Sequence, residues 1–395
     1  MPTSSGNILV IGGGTFGVNT ALELRSRGYA VTLLEPGPLP HPHAASTDIS
    51  KVIRMDYGRD EFYMDMMEEA LAVWRTWNQE LGEPVFYETG VLYLTQDGMQ
   101  PGEYEYESYE LLKQRKHAVE RLDSEEMRKR FPAWNADVYP DGYLNLQGGW
   151  SPSGRVVTLL AERARQAGVN IVEGASFKSL LEQGGRVVGA KTADATEYRA
   201  DWVAFCGGPW TPVLLPWLAE VMWPTAQPVF HFQVDDLAHY QPPAFPVWTA
   251  DIGRTGWYGF PAQADGTLKI ANHGAGWRND PRDSRTVPPD AEPRFRAFMA
   301  ESLPGVAQAP KSFERLCFYC DTFDGDFWIG KDPERPGLLV SAGGSGHAFK
   351  FTPLIGHITA DVLEDKANRY ASRFAWRTRG ELDAEEARNV ESARK

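Results

Sequence analysis

The segment GNILVIGGGTFGVNTALELRSRGYAVTLLEPG, residues 6–37, constrains the fold of this chain more than any other. Ile8 to Ile11 reads as a buried parallel strand, Gly12, Gly14 and Gly17 form a GxGxxG turn, and Asn19 to Arg27 continues at helical period. A second strand, Ala30 to Leu34, ends at Glu35. Gly12 permits the tight turn, Gly14 lets backbone approach a pyrophosphate, and Gly17 lets the helix pack on the strand. The helix N-terminus then offers unpaired N–H groups to phosphates, with Thr15 and Phe16 at its start. Strand, turn, helix, strand and terminal acid in this order predict dinucleotide binding. Glu35 is placed for a ribose hydroxyl and would repel a 2′-phosphate, which favours FAD or NAD over NADP.

The 395 residues suffice for two domains or one large discontinuous one. A formal net charge of -13 disfavours nucleic acid and anionic membrane surfaces as partners, since both would repel it. No run approaches the roughly 18 to 20 apolar residues that span a bilayer. The polar start MPTSSGN argues against a signal peptide, and the odd set Cys206, Cys317 and Cys320 suits a reducing compartment, so a cytoplasmic location is expected. Cys317 and Cys320 are spaced CxxC without a second pair, so no metal site is expected.

Further along, Asp60 to Gln79 has Met64, Met67, Leu71 and Trp74 on one helical face, and Val91 to Thr95 reads as a strand. Asp123 with Glu126 resembles a capping box for a short helix closed by Pro132. A helix over Gly154 to Gln166 feeds a strand at Val169 to Glu173, and WVAFCGGPWT (Trp202 to Thr211) is an apolar strand ending in a glycine turn at Gly207. From Trp223 to Arg278 the pattern changes to short alternating strands that look antiparallel, with Thr249 and Phe230 to Phe232 expected to shape a pocket wall. In the strand ERLCFYCDT, alternation puts Cys317 and Tyr319 on one face and Cys320 on the other. LLVSAGGSGHAFK (Leu338 to Lys350) repeats the opening design, with Gly344 and Gly346 in the turn before a helix through His357 and Leu363. The charged tail from Gly380 has little to bury and is expected to fray.

Four segments in this order carry a family resemblance: GGGTFG with Glu35, ASTDISKVIRMDYG, WYGFP followed by LKIANH, and CFYCDT followed by GGSGHAFKF. They resemble the flavin amine oxidases of the D-amino-acid oxidase superfamily, in the branch of monomeric sarcosine oxidase, pipecolate oxidase and the fructosyl-amino-acid oxidases. The resemblance spans nearly the whole chain. It implies an α/β fold, α+β overall, with a Rossmann-like FAD-binding domain (1–85, 148–222 and 322–380), an antiparallel-sheet substrate domain (86–147 and 223–321) and a charged tail (381–395).

Residue by residue, the resemblance implies a site. Cys317 matches the cysteine that bonds the flavin 8α carbon in this branch. Lys269 matches the lysine above the flavin, where a fixed positive charge stabilises the negative charge that develops as electrons move to O2. Tyr258 and His273 match a pocket-wall tyrosine and an active-site histidine; the fungal fructosyl enzymes tend to have an acid at the latter place, which weighs against deglycation. Arg54 and Lys350 match the two cations that hold a substrate carboxylate. Ser50, Lys51, Gly207, Gly344, Gly346, His347 and Lys350 join the opening motif as cofactor contacts, His347 either touching flavin or capping a turn. Lys51 stands where sarcosine oxidase has arginine and the fructosyl enzymes have lysine. Trp376 and Arg377 resemble a WR element of the fructosyl oxidases without an assigned role.

The reading implied is an FAD-dependent oxidase of the C–N bond of an N-substituted or cyclic amino acid, giving an imine and hydrogen peroxide. Its partners would be a small amine substrate and O2, in a monomer or small homo-oligomer. Two alternatives stand beside it: a flavin dehydrogenase or biosynthetic flavoenzyme that does not use O2, and a non-catalytic flavin-binding partner protein.

Overall fold

The computed structural model describes residues 6–384, 387 and 388. The opening motif builds the centre of a six-stranded sheet. Asn7–Ile11 lies between Ala30–Glu35 and Trp202–Phe205, and the sheet continues to Asn170–Glu173 on one side and to Leu338–Ala342 and Trp328–Lys331 on the other. All pairings are parallel except that of the edge strand Trp328–Lys331. Such strands are covered on both faces, which is why they read as unbroken apolar runs. Gly12, at φ +98°, turns the chain where a side chain would be strained, and a Cβ on Gly17 would overlap the Gly12 carbonyl. The helix Thr15–Ser26 therefore seats directly on the turn, and Thr352–Leu363 crosses it so closely that a Cβ on Gly356 would overlap Asn19.

A second sheet has nine strands: Val91–Thr95, Val119–Asp123, Asp141–Asn145, Met222–Gln233, Val247–Ala250, Trp257–Gly259, Thr267–Asn272, Trp277–Arg278 and Lys311–Thr322. It is antiparallel save for one pair, Val247–Ala250 running parallel to Val91–Thr95. The expected short strands begin instead with one of twelve residues, Met222–Gln233, paired along its length with Lys311–Thr322. One face of this sheet packs on the helix Ala291–Ser302 through an aromatic core that includes Phe230, Phe232, Phe295 and Trp248. Phe230 and Phe232 are thus core residues and not a pocket wall. They share the face of Leu268 and Ile270, while Val229 and His231 point the other way.

Local signals place the remaining pieces. Asp60 caps the helix Glu61–Glu80 by accepting from the Tyr63 N–H, and Met64, Met67, Leu71 and Trp74 are buried along it. Asp123 caps Ser124–Arg130 by accepting from the Glu125 and Glu126 N–H groups. The tail departs from expectation: Ala387 and Arg388 are 1% and 8% exposed. The expectations for 385, 386 and 389–395, and for the start at 1–5, lie outside the described residues. Among the described residues no helix is long and apolar enough to cross a membrane, and no cluster of three or more His, Cys, Asp or Glu could hold a metal ion.

Candidate active site

The carboxyl edge of the parallel sheet opens into a cavity of about 410 Å³, within the roughly 300–1,000 Å³ range of ligand sites. Gly12, Gly14, Thr15, Phe16, Glu35, Lys51, Gly207, Gly344 and Gly346 line it, with Ser46, Trp210, Tyr319 and Phe349. The helix Thr15–Ser26 begins at Gly14 without a side-chain cap and without an acid in its first turn. Its first N–H groups are therefore left for an anion from the cavity. A Cβ on Gly14 would meet only Ser46 Oγ at 3.4 Å, so backbone is laid bare here and not merely packed. Glu35 is 4% exposed and accepts from the Gly13 N–H at 2.6 Å. Burial pushes its carboxyl up to about 7, against the pull of the Gly13 and Gly37 N–H groups. These features fit a dinucleotide: exposed amides suited to a pyrophosphate, and a buried acid at the end of the second strand suited to a ribose hydroxyl.

Strand alternation builds the other wall. Lys269 stands directly opposite His231 in the second sheet, on the face away from the aromatic core. It is 1% exposed, and its Nζ donates to Asp48 Oδ2 at 2.7 Å and to the Ser50 carbonyl at 2.6 Å, 4.6 Å from the centre of the Phe260 ring. Burial lowers its pKa to about 8, with Lys51 adding repulsion and Asp48 opposing both. Burial alone would raise Asp48, but Lys269, His231 and Lys51 hold it well below the usual carboxylate range. The pair is thus ionised and inside the protein. Lys51 Nζ lies 3.7 Å from the same carboxylate and 4.0 Å from Cys317 Sγ. Ser50 Oγ is buried without a hydrogen-bond partner among the described residues.

Cys317 and Tyr319 share this face with Val229, Ala271 and Tyr258, whereas Cys320 packs into the apolar cluster under the parallel sheet, its Sγ 3.9 Å from Met222 Sδ. Burial pushes the Cys320 and Cys206 thiols, which also border the cavity, up to about 12. Tyr319 Oη is 3.3 Å from His273 Nδ1, and the rings of His273 and Tyr258 lie 6.5 Å apart at right angles. A Cβ on Gly346 would run into both Tyr319 and His273, at 2.6 and 2.9 Å, so the second glycine turn is what admits these rings.

Arg54 and Lys350 come from chain segments almost 300 residues apart and meet at Tyr57. The Arg54 guanidinium lies 4.7 Å from the Tyr57 ring centre and the Lys350 ammonium 5.1 Å from it, with Lys350 Nζ donating to Tyr57 Oη at 2.9 Å. Arg54 Nη1 also donates to Tyr104 Oη at 2.8 Å and to the Asp56 carbonyl. Both cations are almost wholly buried. His347 uses Nδ1 on Tyr57 Oη at 2.9 Å and Nε2 on the Gly325 carbonyl at 3.0 Å, so its ring fastens the turn to the Tyr57 cluster. Trp74 Nε1 donates to the Lys350 carbonyl at 2.7 Å, tying the long helix to the same place.

Of the residues singled out from sequence, nine line the cavity: Gly12, Gly14, Thr15, Phe16, Glu35, Lys51, Gly207, Gly344 and Gly346. Lys269, His273, Tyr258, Arg54, Lys350, Ser50, Cys317, Gly17 and His347 do not: Gly17 packs under the Gly12 carbonyl, Ser50, Lys269 and Cys317 cluster near Lys51, Tyr258 and His273 lie beside Tyr319, and Arg54, Lys350 and His347 surround Tyr57. Sequence reasoning missed Asp48 as the Lys269 partner, Tyr57 and Tyr104 around Arg54, and Arg388. Asp48 had a readable signal, three residues before Lys51 in a segment already marked. Arg377 and Trp376 are structural: Arg377 pairs twice with Asp324 at 2.6 Å, and Trp376 packs edge-on against Trp328.

Comparison with known proteins agrees with this geometry. A family model described as DAO, FAD dependent oxidoreductase, matches residues 7–362. Monomeric sarcosine oxidase of Bacillus sp. (strain B-0618) is 25% identical over 375 residues, covering 93% of this chain and 95% of that protein. N-methyl-L-tryptophan oxidase of Yersinia pestis (strain Pestoides F) is 28% identical over 371 residues, covering 91% and 95%. Among solved structures, fructosyl amine:oxygen oxidoreductase (Amadoriase I) from Aspergillus fumigatus aligns with a TM-score of 0.81 at 28% identity, over 95% of this chain and 90% of that one. Fructosyl peptide oxidase from E. terrenum shares the fold, with a TM-score of 0.86 at 23% identity over 99% and 97%.

Proposed function

This chain belongs to the DAO family of FAD-dependent oxidoreductases, and we propose that it oxidises the C–N bond of an N-substituted or cyclic amino acid with O2 as acceptor. The observation that carries the reading is the convergence of two buried cations, Arg54 and Lys350, on Tyr57, beside the Tyr258, His273 and Tyr319 cluster and the buried Lys269. When bound, FAD supplies the two-electron acceptor for the C–N bond and the route to O2.

The residues of the chain divide the remaining work. The glycine turns, Thr15, Phe16, Glu35, Ser50 and Lys51 would hold the dinucleotide, with His347 fixing the second glycine turn against Tyr57. Arg54 and Lys350 orient the substrate carboxylate, so that the α-carbon is fixed by a charge-assisted fork. Tyr258 and His273 place the amine, and His273 is suited to pass a proton near neutral pH. Lys269 holds a positive charge where negative charge develops on the way to O2. Water hydrolyses the imine product, and O2 leaves as hydrogen peroxide. The proposed division gives 1–85, 148–222 and 322–380 to an FAD-binding part, which also carries Arg54 and Lys350, and 86–147 and 223–321 to a substrate part, which carries Tyr258, Lys269 and His273 on or next to the antiparallel sheet. A cytoplasmic location belongs to the same proposal.

Cys317 is the proposed covalent tether. Acid precipitation then leaves the yellow colour in the pellet for the native protein and in the supernatant for Cys317→Ser; free flavin from both proteins would refute the tether. The function itself is tested by peroxide release in air with sarcosine, N-methyl-L-tryptophan, pipecolate, proline and fructosyl-glycine. At least one is expected to turn over. An FAD-loaded protein that releases no peroxide with any of them would contradict the reading.

A further inference from the structure

Arg388 is a charged residue in a charged tail, yet its side chain is only 6% exposed. Its guanidinium takes the Asp321 carboxylate in a two-pronged grip, Nη1 to Oδ1 at 2.5 Å and Nη2 to Oδ2 at 2.7 Å, with Asp321 itself 7% exposed on its side chain. Nε donates to the Gly274 carbonyl at 3.3 Å, and the guanidinium lies 5.3 Å from the centre of the Tyr319 ring. Asp321, Tyr319 and Cys317 alternate onto one face of their strand, and Gly274 follows His273. One side chain therefore grips both pieces that carry the amine-side wall: the Tyr319 strand through Asp321, and, through Gly274, the segment with His273 that directly follows the strand Thr267–Asn272. Gln227 Nε2 reaches the same Gly274 carbonyl at 2.6 Å from the strand between them.

Removing two charges from water is costly, and a bidentate pair offsets that cost only when the geometry is held. A tail that served solubility alone would leave its arginine in water. We propose that Arg388 is a positioning residue for substrate recognition: its pair with Asp321 fixes the Tyr319–His273 contact. The inference rests on the amine oxidase reading for its kinetic arm and on the fold alone for its structural arm. Arg388 acts through Tyr319 and His273 and takes no part in the bond changes.

The test uses the full-length FAD-loaded protein and the variants Arg388→Ala, Arg388→Lys, Asp321→Asn and the Arg388→Ala/Asp321→Asn double. Hydrogen exchange of the amides at 317–322 and 272–274, measured without substrate, should speed up in Arg388→Ala and return part of the way in Arg388→Lys. With the amine that the native enzyme turns over best, KM should rise about tenfold in Arg388→Ala while kcat changes less than about threefold. The double variant should be no worse than the worse single, because both act through one bond. Exchange and KM both within twofold of native in Arg388→Ala would overturn the proposal. So would equal losses in kcat and KM without rescue by lysine, the sign of general destabilisation. If the native protein oxidises no amine, the functional reading fails, and the exchange arm still decides whether Arg388 holds the two strands.

Discussion

The two walls of the site are made of different material. The parallel-sheet wall offers backbone: glycines, open amides at a helix start, and one acid, Glu35, raised to about 7 by burial. The antiparallel wall and its neighbours offer side chains: Lys269 against Asp48, Arg54 and Lys350 around Tyr57, and Tyr319 against His273. A backbone wall recognises shape and is intolerant of any added atom. A wall of buried ions recognises charge, and each member is held by partners brought from distant parts of the chain. The first suits a cofactor that stays, the second a substrate and an acceptor that come and go.

That contrast can be broken, beginning with Lys269. Lys269→Met removes the buried cation and leaves Asp48 with less compensation, so reoxidation by O2 should slow by about 10²–10³-fold while anaerobic reduction changes much less. Stopped-flow measurement of the two half-reactions separates them, and equal slowing of both would refute the division. The charge on Lys269 is present below its pKa of about 8 and lost above it. The oxygen half-reaction should therefore hold level below pH 8 and fall above it, while the reductive half-reaction rises with pH as the substrate amine loses its proton.

On the backbone wall, Gly17→Ala drives a Cβ into the Gly12 carbonyl. It should cost about 3 kcal/mol of stability and most of the bound FAD, read by denaturant unfolding and by the ratio of flavin to protein absorbance. Retention of full FAD content would show that the turn is looser than its glycines imply. Arg54→Met should lower kcat/KM about 100-fold, chiefly through KM, and Arg54→Lys should recover only part because the fork is lost. A loss confined to kcat would place Arg54 elsewhere than on the carboxylate.

The smallest effect concerns Glu35. Its folded pKa lies above the ordinary value of 4.5, so the folded apoprotein binds more protons than the unfolded chain between about pH 4.5 and 7, and stability falls as pH rises through that window. Glu35→Gln should remove this slope and stabilise the apoprotein at pH 8 by about 1–3 kcal/mol, while weakening FAD binding. A variant with the native pH slope would assign it to other groups.

The same contrast explains what the sequence disclosed. The backbone wall was legible because its requirements are local: strand, glycine turn, helix and acid follow one another within the segment 6–37. Alternation within a strand likewise separated Cys317 from Cys320, since period two needs no tertiary knowledge. The same rule, with register unknown, does not say which face of Met222–Gln233 meets the site, so Phe230 and Phe232, expected at a pocket wall, belong instead to the core. Long-range pairings are not legible for a related reason, even where one partner, such as Asp48, lies in a marked segment. Nothing near Lys269 announces Asp48, 221 residues away, and nothing in a charged tail announces that Arg388 finds Asp321. Arg54, Lys269, His273 and Lys350 were singled out by resemblance, not by physics.

In the proposed function, the buried cations and rings form a site for amine oxidation against a dinucleotide held by backbone. Its most direct test is anaerobic mixing of the FAD-loaded protein with sarcosine, N-methyl-L-tryptophan, pipecolate, proline and fructosyl-glycine in turn, followed at the flavin absorption band. Bleaching by at least one is expected, with rapid recovery and hydrogen peroxide when air is admitted. A band unchanged by every one of them, in protein that carries FAD, would contradict it.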